Sequence, residues 1–269
     1  GLRDSLIGHA GAADGVALLN RFGKMLPAGY IEDVSPEVAA HDVMALSELK
    51  RDDSIHLNLY NDPRDNSLRF KVIHVGAPIS LSEALPMLEN MGVRMLAEHV
   101  YTLESDGRPL TIHDFELKTK APLVFELPHL RDRFERSFEA LWRGDAESDG
   151  FNNLVLTAGA DWRQVAVLRG YCKYLQQVGI AFSQSYMEET LNRYPAIAGL
   201  LIELFNAKFD PHREQFTPAE LEKAQADLRR EMQALISAET QKAKPELIDG
   251  MVAVLAQPRQ QQVHVLWEA

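Results

Sequence analysis

The chain has 269 residues, 46% hydrophobic and 25% charged, enough to bury the cores of two modest domains or one large one. Its formal net charge of −11 excludes a general affinity for phosphate backbones or anionic lipid, since both need clustered Lys and Arg. The single cysteine, Cys172, excludes an internal disulfide and points to a reducing compartment, so a cytoplasmic location is expected.

No stretch approaches the roughly 18 uninterrupted apolar residues that a membrane span requires. The chain opens Gly1-Leu2-Arg3 with no signal-peptide pattern, which reads as a piece of a longer polypeptide.

Residues 1–50 form a helical lead-in. Leu18, Leu19, Phe22, Met25 and Leu26 recur at helical spacing, and Ser35-Pro36-Glu37 opens a helix through Val38, Val43 and Leu46. Gly8, Gly11 and Gly15 superficially suggest a phosphate loop. No strand precedes them and no Lys-Ser/Thr follows, so they read as glycines of packing or helix fraying.

Residues 51–125 switch to period two. Ile55, Leu57 and Leu59 alternate with His56, Asn58 and Tyr60, and a turn-rich Asn61–Asn66 follows. Leu68, Phe70, Val72 and His74 alternate with Arg69, Lys71, Ile73 and Val75 as the hairpin partner.

A loop then leads to Ser80 and Glu83 in capping-box spacing. The helix beyond carries Leu81, Leu85, Leu88 and Met91 on one face, contains Pro86, and stops at Gly92. Val93 to Tyr101 alternates as a strand, Asp106-Gly107 makes a turn, and Thr111 to Leu117 returns. This order implies a small α+β sheet with helices on one face.

From residue 126 onward the period is 3.6. Leu130, Phe134, Phe138 and Leu141 line one helix up to Gly144. Asp161 and Gln164 cap a helix bearing Val165, Leu168, Cys172 and Leu175, and Ser185 with Glu188 caps a third. Pro195 opens a fourth through Ile197, Leu201, Leu204 and Phe205, ended by Asp210-Pro211. Thr217-Pro218 starts a fifth, Pro245 a last one, and Val263 to Trp267 reads as a short strand. Residues 126–269 are therefore an all-helical array.

Reactive constellations are scarce. Cys172 lies on the apolar stripe of its helix, which predicts a buried, inert thiol. None of the nine histidines sits three or four residues from another His or Cys, so no metal site is predicted. His74 and His99 fall on strands and could meet across the sheet as ordinary packing. Carboxylates such as Asp132 and Glu135 alternate with Arg131 to Arg136 as a solvated face. No glycine-rich nucleotide cradle and no basic-aromatic nucleic-acid surface is visible, so no catalytic or cofactor-binding residue is assigned.

Two stretches carry a family likeness. The first is Leu81-Ser82-Glu83-Ala84-Leu85-Pro86-Met87-Leu88-Glu89-Asn90-Met91-Gly92-Val93-Arg94, with His113-Asp114-Phe115 downstream. The second runs from Gly150-Phe151-Asn152-Asn153-Leu154 through Ala158-Gly159 and Asp161-Trp162-Arg163 to Lys173-Tyr174-Leu175, Ser183-Gln184 and Phe209-Asp210-Pro211. Over roughly Leu26 to Pro211 the chain resembles the large bacterial NAD-specific glutamate dehydrogenases, ahead of their catalytic domain. After about Glu220 the likeness fades.

The resemblance implies an ACT-like (ferredoxin-like) antiparallel sheet with packed helices over 51–125, followed by helices leading to a catalytic domain. It implies a parent reaction converting L-glutamate, NAD and water to 2-oxoglutarate, ammonium and NADH. The NAD site and the catalytic lysine would lie in a later domain, leaving no cofactor in this segment. The implied partners are that catalytic domain, further copies of the chain, and an amino-acid effector, with neither nucleic acid nor membrane.

An effector would sit at the loop carrying Gly76, Pro78, Ser80 and Ser82, where backbone and hydroxyl donors could meet a carboxylate. That loop has no acidic residue before Glu83 to receive the ammonium. This favours a regulatory or assembly role without a ligand. Asn152, Asn153, Trp162 and Arg163 are the family-signature and interface candidates. The alternatives are a stand-alone amino-acid-sensing module, a helical interaction adaptor, or a self-contained enzyme working through Asn152, Trp162 and Arg163 or His113-Asp114.

Overall fold

The computed structural model describes residues 1–123, 125–179 and 182–209, with 219, 223, 226, 227, 230, 234, 250, 251 and 253. The helix start at Thr217-Pro218, the helix expected from Pro245, the strand over 263–267 and Asp210-Pro211 lie outside the described residues. The chain divides into two compact units, Gly1–Leu85 with Val93–Thr119, and Pro86–Gly92 with the described residues from Lys120 on.

The first unit begins with four helices, α1 (Leu2–Ala10), α2 (Ala12–Phe22), α3 (Ala28–Asp33) and α4 (Pro36–Glu48). Of the early glycines, Gly15 serves packing, whereas Gly8 and Gly11 have open space where a Cβ would lie. A Cβ at Gly15 would lie 2.7 Å from the Ile7 backbone nitrogen, so only glycine lets α2 cross α1 this closely. Ser35 caps α4 by accepting from the Val38 amide at 3.4 Å, and Pro36 occupies the first turn, where its missing N–H costs nothing.

The sheet contains β1 (Ile55–Asn61), β2 (Leu68–Val75), β3 (Val93–Ser105) and β4 (Arg108–Thr119), in the order β1-β2-β4-β3 with every neighbour antiparallel. β2 and β3 therefore run in the same direction, which requires a crossover, supplied by α5 (Leu81–Asn90). Asp106 and Gly107 both have positive φ, 56° and 73°, in the tight turn between β3 and β4. A bulge between Met95 and Ala97 leaves Leu96 exposed on the edge strand.

The expected helices on one face are only half the arrangement. Arg69, Lys71 and Ile73 share a face with Ile112, Asp114 and Tyr101, and this face is covered by Phe22, Leu26, Tyr30, Val38, Val43 and Leu46 from the lead-in helices. On the opposite face lie Phe70, Val72, His74, His113 and Phe115, where the chain leaving β2 folds back. Six consecutive residues of β2, Arg69 to His74, are consequently buried. Crossover units bury a strand on both sides, whatever its alternation suggests.

The second unit is helical. α6 (Leu127–Arg143) buries Leu130, Phe134, Phe138 and Leu141 and ends at Gly144 in the left-handed conformation, φ 76°. A 3-10 turn (Gly150–Asn153) leads into α7 (Leu154–Thr157), followed by α8 (Trp162–Gln177), α9 (Gln184–Arg193) and α10 (Pro195–Phe209). The Asp161/Gln164 capping box forms reciprocally, at 2.9 and 3.0 Å.

The cap of α9 differs from expectation. Ser183 is the N-cap and accepts from the Tyr186 amide at 3.2 Å, while Ser185 sits inside the first turn with its Oγ 3.2 Å from that of Ser183. Both serines stand at plausible capping spacing in the sequence, and the local geometry selects the earlier one.

Candidate functional site

The loop between β2 and α5 is anchored at both ends. Gly76 adopts φ 123°, its N–H donates to the Pro109 carbonyl at 2.9 Å, and its carbonyl accepts from Thr111 Oγ1 at 2.7 Å. Ala77 and Pro78 are exposed, and Ile79 is buried. Ser80 precedes α5 and its carbonyl accepts from the amides of Glu83 and Ala84, at 2.9 and 3.1 Å.

The expected side-chain capping box of Ser80 is replaced by another contact, because the Ser80 and Ser82 hydroxyls bond each other at 2.6 Å. Both face solvent. Pro86 lies at the sixth helical position, past the first turn, so it removes one internal hydrogen bond from α5. Gly76, Pro78, Ser80 and Ser82 are thus brought together on one segment.

The far end of this loop rests on a histidine. The Ile79 N–H donates to His113 Nε2 at 3.0 Å, and His113 Nδ1 lies 2.9 Å from Glu98 Oε1. An accepting Nε2 in a neutral ring requires the proton on Nδ1, where the Glu98 carboxylate accepts it. His113 is fully buried, with His74 and Phe115 stacked at ring-centroid distances of 5.6 Å.

His74 therefore faces His113 and not His99. His99 projects from the other face, with Nδ1 3.8 Å from Asp33. Burial, opposed by the Val75 carbonyl, holds the His74 pKa below its ordinary value.

That other face holds a charge cluster that sequence patterning missed. Lys71, fully buried, is ion-paired with Asp42 of α4, and the Tyr30 hydroxyl donates to the same Asp42 oxygen at 2.5 Å. Asp114 Oδ2 is 3.9 Å from Lys71 Nζ, and Asp114 Oδ1 is 3.9 Å from the Arg69 guanidinium. The Tyr30 and Tyr60 rings lie 5.5 and 5.7 Å from the ammonium.

Burial raises the Asp114 pKa, against the pull of Lys71 and Arg69. Burial also drives the Tyr30 and Tyr60 phenols far above their usual range. The only sequence signal was a charged pair in an otherwise apolar β2 register, which a one-sided sheet would have placed in solvent.

In the second unit, Asn152 is buried and its Oδ1 accepts from the Asp149 amide at 2.8 Å, while the Asp149 side chain accepts from the Phe151 amide at 3.1 Å. Arg169, 4% exposed, closes on this turn. It donates to both Asp149 oxygens at 2.6 and 2.8 Å and to the Glu147 carbonyl at 3.1 Å. Lys173 reaches Glu147 at 2.6 Å and, as the largest effect, holds that carboxyl below its usual pKa.

A groove of about 250 Å³ lies along Asp145, Glu147, Arg169, Gly170 and Lys173. Asn153 faces Gly92, and Arg163 stacks over the Trp162 ring at 4.2 Å. Asn152 and Asn153 share the 3-10 turn, whereas Trp162 and Arg163 open α8. Cys172 is buried and its thiol pKa is pushed up to about 12, chiefly by desolvation. Among the described residues no group of three or more His, Cys, Asp or Glu could hold a metal ion, and no helix is long and apolar enough to cross a membrane.

Three family models match in succession: glutamate dehydrogenase helical motif 2 over residues 5–49, the glutamate dehydrogenase ACT3 domain over 54–130, and glutamate dehydrogenase helical motif 3 over 146–211. The NAD-specific glutamate dehydrogenase of Halomonas elongata is 38% identical over 196 residues, 72% of this chain. The chain belongs to the family of large NAD-specific glutamate dehydrogenases, as part of its N-terminal region.

The proteins of the same name from Pseudomonas aeruginosa and Mycobacterium tuberculosis are 36% and 37% identical, over 87% and 77% of this chain. The chain spans only 12–14% of the length of these glutamate dehydrogenases. The ACT3 match coincides with the four-stranded sheet. The helical motif 2 match reaches back to residue 5, ahead of the likeness read from sequence motifs.

Proposed function

We propose that this chain is a regulatory and assembly segment of an NAD-specific glutamate dehydrogenase. The parent reaction would convert L-glutamate, NAD and water to 2-oxoglutarate, ammonium and NADH in the cytoplasm. NAD binding and the chemical steps would fall to a catalytic domain elsewhere in the same polypeptide, and the segment would hold that domain within a homo-oligomer.

The observation carrying this reading is the succession, in chain order, of helical motif 2, ACT3 and helical motif 3 within residues 5–211. The chemistry of the side chains supports it. Buried cations are engaged within each unit, Lys71 with Asp42 in the first and Arg169 with Asp149 in the second. Such pairing holds elements in register.

Removing the segment from the full-length enzyme tests the proposal. The expected result is altered subunit assembly, read by light scattering, or an altered response of glutamate oxidation to amino acids. The purified chain should give no glutamate-dependent NADH formation. Unchanged assembly and kinetics after the deletion, or turnover by the chain alone, would overturn it.

A second reading, an amino-acid-sensing module, draws on the loop that gathers Gly76, Pro78, Ser80 and Ser82 before α5. Calorimetry with a panel of amino acids separates the two, and heat at millimolar ligand would favour sensing.

A further inference from the structure

The loop that begins α5 hangs on a hydrogen bond that only one protonation state of His113 can make. The Ile79 N–H points at Nε2 from 3.0 Å, and that nitrogen can accept only while it carries no proton. Nδ1 is already committed to Glu98 at 2.9 Å. No other tautomer serves both partners, because Ile79 offers a donor and the Glu98 carboxylate an acceptor.

A second proton would go to Nε2 and set two N–H groups against each other. The ring cannot turn away, because it is fully buried between the stacked rings of His74 and Phe115. The loop must then move. Its first residue is held independently of the histidine, through Gly76 to Pro109 and Thr111, so movement would be confined to the stretch from Ala77 to the start of α5.

We propose that His113 is a proton-gated clasp on the loop preceding α5, closed by the neutral ring and opened by imidazolium. The titratable groups facing the ring are Glu98 from β3 and His74 from β2; Lys71 and Asp114 lie on the opposite face of the sheet. Glu98 is the natural partner of the open state, because a carboxylate 2.9 Å from Nδ1 stabilises the charged ring. Opening would alter the presentation of Pro78, Ser80 and Ser82. The clasp does not depend on any ligand binding there, so its test is independent of the proposed role in the dehydrogenase.

The test is a pH titration of the 269-residue chain, ¹⁵N-labelled at histidine and isoleucine and followed by NMR. The expected result is that the Ile79 amide shifts with the same midpoint as the His113 ring. Its exchange protection should fall on the order of tenfold, the loss of one buried hydrogen bond. The Gly76 amide, followed in a uniformly labelled sample, should not take part.

His113→Gln keeps an acceptor near Nε2 without a titrating group, and should hold Ile79 protected and unresponsive to pH. If that variant does not fold, His74→Phe replaces it and should retain the Ile79 step. A ring that takes up its proton while Ile79 stays unmoved would overturn the proposal. So would an Ile79 step that persists in His113→Gln or vanishes in His74→Phe, since either assigns the step to a different group.

Discussion

Gly92 meets Asn153 closely enough to make a decisive double-mutant experiment. Gly92 follows α5 at φ 87°, and its carbonyl accepts from the Lys120 amide at 2.9 Å. A Cβ built there would lie 1.8 Å from Asn153 Oδ1 and 2.8 Å from its Cγ. Gly92→Ala should therefore incur two separable costs. The left-handed backbone costs about 1–2 kcal/mol for a residue with a Cβ. The forced displacement of the Asn153 amide adds about 1–3 kcal/mol, the usual range for overpacking.

Asn153→Ala removes the obstructing atoms and leaves the φ cost in place. Gly92→Ala introduced into the Asn153→Ala background should then cost only the first quantity, giving a coupling of about 1–3 kcal/mol between adjacent sites. Urea denaturation of the four chains, monitored by circular dichroism, measures the cycle. An equal cost of Gly92→Ala in both backgrounds would refute the steric reasoning and leave backbone conformation as the sole role of the glycine.

Two further outcomes follow from the first unit. Lys71→Met strands the buried Asp42 carboxylate and should destabilise the chain by about 3–5 kcal/mol, with partial recovery when Asp42→Asn is added; urea midpoints of the single and double variants check this. His74 and His56 are both held below the ordinary histidine pKa of 6.5, chiefly by burial.

The folded chain then binds fewer protons at these sites than the unfolded chain. Their contribution to stability is complete above 6.5 and is lost as pH falls. Stability measured by urea midpoint should fall as pH drops from about 6.5 toward about 5, within the range over which histidines exchange protons, and His74→Phe should flatten part of that slope. Asp114 works in the opposite sense. Its raised pKa makes its contribution greatest in acid, below the ordinary carboxyl value of 3.8, and lost as pH rises from there.

Much of the local structure could be read without coordinates, because short-range chemistry decides it. The period-two runs at Ile55 and Leu68, the Asp106-Gly107 turn and the Asp161/Gln164 box each involve residues within a few positions of one another. Where two local solutions compete, sequence is a weaker guide. Ser183 displaced Ser185 as the cap of α9, and Ser80 bonded Ser82 instead of closing a capping box. Such choices turn on geometry set by neighbouring elements, with differences of about 1 kcal/mol.

The candidate sites divide in the same way. Sequence alone grouped Gly76, Pro78, Ser80 and Ser82, since they are neighbours in the chain, and marked Asn152, Asn153, Trp162 and Arg163 as a family signature. It also gave the order of the four strands around α5, the inert Cys172 and the likeness to NAD-specific glutamate dehydrogenases, but not the separate helices α1, α3 and α7.

Only the tertiary structure decided that β2 is covered on both faces. That single fact buries Lys71 beside Asp42, 29 positions away, and brings His113 under the Ile79 amide, 34 positions away. Side-chain periodicity reports which residues share a face of a strand. What lies against that face depends on distant segments, and there the charge of Lys71 and the tautomer of His113 are set.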